Sequence, residues 1–548
     1  MLTLGVCEGP NGSAALVDGE HVIAVEEQAR HERATFSTQF PWSAIEAVLA
    51  SGHVRASEIE RVAIAGRISP PLFLRRLPGL RSWLRPKPNS WTFRAMTTYQ
   101  SLVSWSGVGA LQEDVASSWF ERTFAARGLA PGSVRMVDAH HALATAAYVS
   151  QRETRATILT LHPNGDGVFV SVFRAQDGML QCVHRQGGAA RLHTFQRQFI
   201  AGCGLHPWRD EHQFWMSALH GETCSSLHDA LWHYIGSDSL RILGTRRRPD
   251  WLPLLADVRP ENAAATFLGV IARYVKQILA TVEGVDDALP LVLGGSLVQH
   301  PAMSAALFEA LGACWVAPDN PRASLALGAA GVASGLAPRA ENTPGYGGLP
   351  DPARIQRAME VARVSSAASE NTVERAIHVL NSGGSLGLFL GRGGFHRQGN
   401  GTRSVLLRAD RPEETRQVVE RLGGVHDLPV SMLVLPEAGE RCGLSRYGHL
   451  SHRRMVAVEP PSTFLSKYGG VQRSAKMVLM RQLGADTDPV LFRILTAVHE
   501  QTGCESFYCL PLAQGHAEPV ALAGDALRVW QRANLDGLML GEQWLERT

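Results

Sequence analysis

The stretch MLTLGVCEGPNGSAALVDGEHVIAVEE, residues 1–27, decides how the chain begins to fold. Leu2 to Val6 is apolar and strand-like. Glu8 to Gly12 is turn-rich, with Gly9-Pro10 and Asn11-Gly12 in it. Ala14 to Val17 reads as a second strand. Asp18-Gly19 turns the chain again, and His21 to Val25 makes a third. Nothing in the stretch pairs a basic start with a long apolar run, so no signal peptide is expected in it.

The same alternation of strands and helices continues outward. Residues 43–51 read as a helix and 62–66 as a buried strand. From Val62 to Gln112 there is no acidic residue, while Arg67, Arg75, Arg76, Arg81, Arg85, Lys87 and Arg94 are spread through it. This is a basic, proline-broken insertion of about 67–112. It suits a lid, a partner surface or a membrane-surface contact, and equally a solvated insertion with its own small core. Val134–Val137 is a strand, and His140–Ser150 a helix. Ala156–Leu161 and Val168–Phe173 form a hairpin around Gly165-Asp166-Gly167. Ala263–Val282 has helical periodicity, Leu289–Leu293 is a strand ending in Gly294-Gly295-Ser296, and Leu325–Ala333 is a small-residue helix. Strand pairs and helices thus come in two rounds, as two related α/β subdomains meeting at a cleft would require. Residues 336–354 are rich in Pro and Gly and mark a boundary. Beyond it, residues 371–382 and 415–422 read as helices. Residues 386–390, 432–435, 507–510 and 520–522 read as strands, with a helix from Asp525.

Composition limits the function classes. The 548 residues carry 53 Lys+Arg against 51 Asp+Glu, a formal charge of +2, which argues against a general polyanion binder. Eight cysteines without a C-x-x-C disfavour a disulfide scaffold or a zinc ribbon. No run of 18 apolar residues occurs, so no membrane span is expected, and a cytoplasmic location follows by elimination.

Antiparallel hairpins opening a larger α/β chain are how sugar kinases, actin and the heat-shock chaperone ATPases begin. A closer resemblance lies in ordered landmarks. These are Gly5, Ser13 to Glu20, Glu26-Glu27, Phe40-Pro41, Val137 to His141, Gly165-Asp166-Gly167, Gly294-Gly295 and Ala326 to Ala330. In the second half they are Gly391-Arg392, Gly401 to Ser404, Glu518-Pro519, Asp525 to Leu527 and Leu535 to Gly537. Together they resemble the nodulation-type carbamoyltransferases, which include antibiotic O-carbamoyltransferases acting on tobramycin and cephalosporins. The resemblance implies an α/β chain. A large actin-like (ASKHA-type) domain of two related subdomains, residues 1–338, is followed by a smaller α/β YrdC-like domain, residues 355–548. In that family the small domain makes carbamoyl adenylate from ATP and carbamoyl phosphate. The large domain then transfers the carbamoyl group to a substrate hydroxyl with the help of a metal.

Residue by residue, the chemistry departs from the family. The family places two metal-binding histidines four apart on one helix. Here His140 and His141 stand at the start, with Ala144 and Thr145 four residues further on. The family's metal-binding aspartate falls near Arg322, and a cation there would be opposed. The usual metal is therefore expected to be absent. The His-Asp pair of the first turn is replaced by Asn11-Gly12. In the small domain the motif glutamate is Gly394, the first motif arginine falls at Gln398 with Arg397 one position off, and Arg403 is retained. The phosphate-binding Lys and Arg cluster becomes Leu422 to Pro429, without cations, which forfeits charge-assisted bonds.

The resemblance leaves His140, His141 and Arg403 as catalytic candidates. Asn11, Gly12, Ser13, Asp166, Gly294, Gly295 and Arg392 are the candidates for holding ATP and carbamoyl phosphate. Each has a structural counterpart reading: glycines for tight turns, an aspartate for a hairpin cap, buried helix histidines. Arg30, His31, Glu32 and Arg33 either orient a substrate or form a solvated face. Cys7 and Cys442 read as buried inert thiols, and Gly383 to Gly387 as a plain turn between helix and strand rather than a nucleophile elbow. Three functions remain open. The first is a divergent carbamoyltransferase acting on a hydroxyl or amine of a small-molecule acceptor in specialised-metabolite biosynthesis. The second is a degenerate paralogue serving an active transferase or another pathway protein, or pairing as a homodimer. The third is a nucleotide-binding enzyme with a new reaction. No nucleic-acid partner is expected.

Overall fold

The computed structural model describes residues 1–9, 12–34, 37–77, 79–80, 95, 99, 103, 108–129, 131–151, 153–187, 189–207, 210–236, 251–283, 285–286, 288–312, 314–316, 321–338, 347–366, 371–394, 399–423, 431–471, 476–515 and 517–547. Asn11, the stretch 395–398, residues 424–430 (most of the Leu422 to Pro429 stretch) and most of the basic insertion lie outside the described residues. The chain divides into two compact units. One is Met1–Gln28 with Phe36–Asn342, and the other is Ala29–Thr35 with Thr343–Thr548.

The first unit holds two five-stranded sheets of one topology. The first sheet contains β1 (Leu2–Cys7), β2 (Ser13–Asp18), β3 (His21–Glu27), β4 (Arg61–Ala65) and β5 (Ser133–Val137), in the order 3-2-1-4-5. β1, β2 and β3 are antiparallel neighbours, and β4 and β5 run parallel to β1. The second sheet contains β6 (Arg155–Gly165), β7 (Val168–Gln176), β8 (Met179–Gly187), β9 (Leu291–Gly294) and β10 (Trp315–Val316), ordered 10-9-6-7-8. It repeats the scheme, a three-stranded meander followed by two parallel strands. The opening hairpin is therefore half of a pattern that the chain runs twice.

Residues of β1 and β2 are buried along nearly their whole length, so both faces of the first sheet are covered, as a continuous apolar run demands. One face packs on α1 (Trp42–Ser51) and α2 (Val108–Ala125), with Leu4, Leu16, Ile45, Val48, Phe120 and Phe124 in the shared core. Two further helices are exchanged between the sheets. α3 (Ala139–Val149) follows β5 but packs on β6 and β9. α5 (Pro321–Ser334) follows β10 but packs on β1, β2 and β4. α5 needs glycine for its contacts with β1 and with α3. A Cβ on Gly5 would run into the Ala326 carbonyl oxygen, and one on Gly328 into that of Ala142, where the two helices cross. Between them in sequence lies α4 (Pro260–Thr281), by length and composition long and apolar enough to cross a membrane. Its apolar face, with Phe267, Leu268, Val270 and Ile271, is buried in the unit.

The second unit is built on one mixed sheet of eight strands, ordered 14-15-13-16-12-11-17-18. These are β11 (Leu386–Phe389), β12 (Arg403–Arg408), β13 (Ser431–Val434), β14 (Val456–Val458), β15 (Val478–Gln482), β16 (Ser506–Pro511), β17 (Gly537–Leu540) and β18 (Gln543–Glu546). α6 (Pro352–Ala362) and α10 (Ala523–Arg532) close one core, which gathers Ile355, Met359, Leu407, Val418, Leu527 and Leu538. The helices α7 (Thr372–Asn381), α8 (Pro412–Arg421) and α9 (Pro489–Thr502) complete the α/β pattern.

The expected strand at 520–522 is irregular chain instead. The Val520 amide still donates to Leu512 O. The carbonyls of Pro519 and Val520, which a neighbouring strand would use, accept from the guanidinium of Arg30. Arg30 is 4% exposed, so the solvated-face reading fails for it. Arg33 follows by pairing with Asp525 at 2.8 Å. These two arginines fasten the short segment Ala29–Thr35 to the second unit.

Candidate functional site

In the first unit the predicted residues gather around the two hairpin turns and the start of α3. Gly12 and Ser13 are both buried. A Cβ on Gly12 would come within 2.8 Å of the Cys7 carbonyl oxygen and 3.2 Å of Pro41, so glycine is needed for close backbone approach. Just ahead of them Glu8 pairs with Arg75 at 3.1 Å, and neither side chain has exposed surface. The second turn is Asp166-Gly167, both at positive φ (51° and 82°), the two-residue geometry that matches strand twist.

Asp166 is a hub. Its carboxylate accepts from the backbone N–H groups of Arg67, Ile68, Ser69 and Ala139 at 2.8–3.0 Å. Burial, and then neighbouring Asp138, push its pKa above the ordinary carboxylate range against those donors. Asp138 caps α3 by accepting from His141 N at 3.0 Å, and it pairs with Arg185. Burial alone would raise Asp138, but the charge and hydrogen bond of Arg185 hold it below its usual value.

His140 has no exposed surface. Its Nε2 lies 3.0 Å from Val168 O and its Nδ1 2.7 Å from Thr160 Oγ1. A carbonyl can only accept, so Nε2 carries the proton and Nδ1 accepts from the Thr160 hydroxyl. Burial pulls its pKa down from 6.5 to about 4, which keeps the ring neutral. Both nitrogens are thus engaged inside the protein. Its neighbour His141 is partly exposed and stacks on Phe173, ring centroids 5.9 Å apart, and burial lowers its pKa as well. Four residues on, Ala144 is buried and the Thr145 hydroxyl donates to His141 O. No group of three or more His, Cys, Asp or Glu side chains among the described residues is arranged to hold a metal.

Gly294 and Gly295 are packing glycines. A Cβ on Gly295, at φ +102°, would run into the Leu161 backbone, and one on Gly294 would meet Ala147 and the Leu143 carbonyl oxygen at 3.2 Å. The next residue, Ser296, faces His162, with Oγ 2.9 Å from Nδ1.

In the second unit Arg403 is 3% exposed. It donates to the carbonyls of Leu390, Thr402, Gly391 and Gly348 and lies over the Phe389 ring at 3.9 Å. It therefore ties its own loop together. Arg392 is partly buried, donates to Gly347 O at 3.4 Å, and has its pKa lowered by burial. A Cβ at Gly394 would run into Asn400 Nδ2, so a larger residue there requires the Asn400 side chain to move. Cys442 is buried and pushed up to about 11, mainly by burial, while Ser385 donates from both N and Oγ to Asp536 in a turn.

Two buried ion pairs escaped the sequence reading, Glu8–Arg75 and Arg481–Asp488, while Arg30 and Arg33 stood out in the sequence without their carbonyl and carboxylate partners. The signal for Arg481 was present, a lone arginine inside the apolar strand Val478–Gln482. A charge in such a run requires a partner.

No protein-family model matches the chain, and no curated protein sequence does. Among solved structures, the activator of the 2-hydroxyisocaproyl-CoA dehydratase from Clostridium difficile, with bound ADPNP, aligns at 13% identity. The alignment covers 61% of this chain and 94% of that one, with a TM-score of 0.32. A ROK family glucokinase from Streptomyces griseus, in complex with glucose and AMPPNP, aligns at 14% identity over 61% of this chain and 99% of that one, with a TM-score of 0.28. A ROK hexokinase from Thermus thermophilus aligns at 16% identity over 60% and 97%, with a TM-score of 0.25. Scores this low carry no argument about fold or activity. The architecture stands on its own strand order: a mixed α/β chain whose first unit repeats one sheet topology.

Proposed function

We propose that this chain is an ATP-binding protein of actin-like build whose second unit derives from a YrdC-like domain, and that it works as a non-transferring paralogue beside an active carbamoyltransferase. The observation that carries the first half is the repeated 3-2-1-4-5 sheet with exchanged helices, each sheet opening on a glycine-containing hairpin turn. This is the layout the sequence resemblance calls for around a nucleotide. The second half is favoured by His140, which has both ring nitrogens engaged and Ala144 where the family has its second histidine. Arg403 supports it too, since its donors serve loop carbonyls. The competing reading, transfer of a carbamoyl or related group to a small-molecule hydroxyl or amine, has to find its base and its phosphate-binding cations elsewhere.

Calorimetric titration with ATP tests the first half, and phosphate release from ATP plus carbamoyl phosphate, with and without added Fe²⁺ or Zn²⁺, tests the second. Binding without turnover above a protein-free control is the expected result. Turnover overturns the paralogue reading. Absence of ATP binding overturns the nucleotide reading.

A further inference from the structure

The segment 66–75 lies between the opening hairpin turns of the two sheets and is fastened to both. Gly66, at φ +96°, turns the chain at the end of β4, and its amide donates to Val137 O at 2.8 Å. The next three amides, of Arg67, Ile68 and Ser69, converge on the single carboxylate of Asp166 in the β6–β7 turn. From the other side Arg75 donates to the carbonyls of Gly66 and Pro70, each at 2.7 Å, and pairs with Glu8 just after β1. Gln112 adds a bond to Ile68 O at 3.0 Å, and Arg67 pairs with Glu113.

The two fastenings at the hairpin turns are buried carboxylates, Asp166 met by backbone N–H groups of the segment and Glu8 by the Arg75 guanidinium. The amides of 67–69 point at one acceptor, the concave arrangement that backbone N–H groups offer to anions. Asp166 already fills it. Glu8 is neutralised by Arg75 in a pair with no solvent contact. With the segment in place, both hairpin carboxylates are spent on the chain itself, and so are the donors that an anionic ligand would take.

We propose that residues 66–75 are a latch across the two hairpin turns, with Asp166 as its catch. The phosphates of a nucleoside triphosphate reach the turns only when the latch opens. Opening frees the 67–69 amides and the Arg75 guanidinium as donors. The proposal rests on the nucleotide-binding reading above.

Asp166→Ala removes the catch. Hydrogen exchange read by mass spectrometry, with stopped-flow association of a fluorescent ATP analogue, tests it in the full chain. The expected result is at least a hundredfold faster exchange at amides 67–69 with β4 and β5 unchanged, and at least a tenfold faster association. The double variant Glu8→Gln with Arg75→Met opens the other side, and it carries the test if Asp166→Ala does not fold. Unchanged exchange overturns Asp166 as the catch. Faster exchange with an unchanged association rate overturns gating while leaving nucleotide binding intact. Failure of wild type and variants alike to bind the analogue overturns both readings together.

Discussion

His140 makes a quantitative prediction because it is a neutral histidine sealed between Thr160 and Val168. Its pKa is about 4 in the folded protein against 6.5 for a fully solvated imidazole. Between those two values the unfolded chain binds the proton and the folded one does not. Stability from this group is therefore fully present above pH 6.5 and is lost as the pH falls toward 4. A tenfold change in proton affinity is worth about 1.4 kcal/mol, so keeping this ring neutral contributes about 3 kcal/mol of pH-dependent stability. His140→Gln removes it, since glutamine does not titrate and its Nε2 can still donate to Val168 O. At pH 7.5 the variant should be the less stable by about 1–2 kcal/mol for the lost Thr160 bond and the altered packing. That gap should close steadily below pH 6.5, and near pH 4 the variant should match or exceed wild type.

The assay is urea unfolding at half-unit pH steps, followed by pulse-labelling mass spectrometry on peptides from β6 and β7, so that the second unit does not contribute. Asp138 and Asp166 titrate nearby, with Asp138 held low and Asp166 pushed up. Their effects appear in both proteins and largely cancel in the difference. A stability gap that stays constant from pH 7.5 to 4 would falsify the assignment of His140 as a buried neutral ring.

Other outcomes follow from the same packing. Gly328→Ala drives a Cβ into the Ala142 carbonyl oxygen, where backbone cannot swing aside, so denaturation of the first unit should show a loss of about 3 kcal/mol or more. Gly335→Ala, at φ +73° with nothing within 4 Å of its Cβ, should cost only the strain of that backbone, about 1 kcal/mol. Arg481→Met strands Asp488 in the second unit and should cost about 3–5 kcal/mol, whereas replacing both by apolar residues should recover most of it. Alkylation with iodoacetamide, mapped by mass spectrometry, should reach Cys224 first. Its pKa is lowered by the Ser226 hydroxyl, while burial pushes Cys442 and Cys509 up to about 11 and Cys203 to about 12, and these three should react late.

Several strands and hairpins were legible because period and turn chemistry are local. Asp18-Gly19 and Asp166-Gly167 each announce a turn, and each is one. The strands Met179–Gly187, Arg403–Arg408, Val456–Val458, Val478–Gln482 and Gln543–Glu546 were not read. The helix at His140 was legible from its alanine content and from Asp138 ahead of it. The exchange of α3 and α5 was not. It is encoded in Gly5 and Gly328, which read locally as ordinary small residues and acquire meaning only when a distant backbone arrives against them. Arg30 was misleading for the opposite reason. The run Arg30-His31-Glu32-Arg33 has the composition of a solvated face, yet the carbonyls of Pro519 and Val520, nearly five hundred residues away, take up its charge. A sequence shows that a charge exists; whether it is buried depends on which acceptors the fold delivers.

That distinction bears on how lost motifs are read. The family resemblance marks His140 and Arg403 as survivors among replaced residues, and survival invites a catalytic role. In the structure both are buried donors, His140 holding α3 to the β6–β7 hairpin and Arg403 gathering the carbonyls of Leu390 and Gly391. Removing either leaves buried acceptors unsatisfied, at about 1–3 kcal/mol apiece, whatever reaction the protein does or does not perform. Retention of these two residues is therefore accounted for by folding alone. Packing also accounts for Ala144, which is fully buried, and for Gly394, where a Cβ would meet the Asn400 amide.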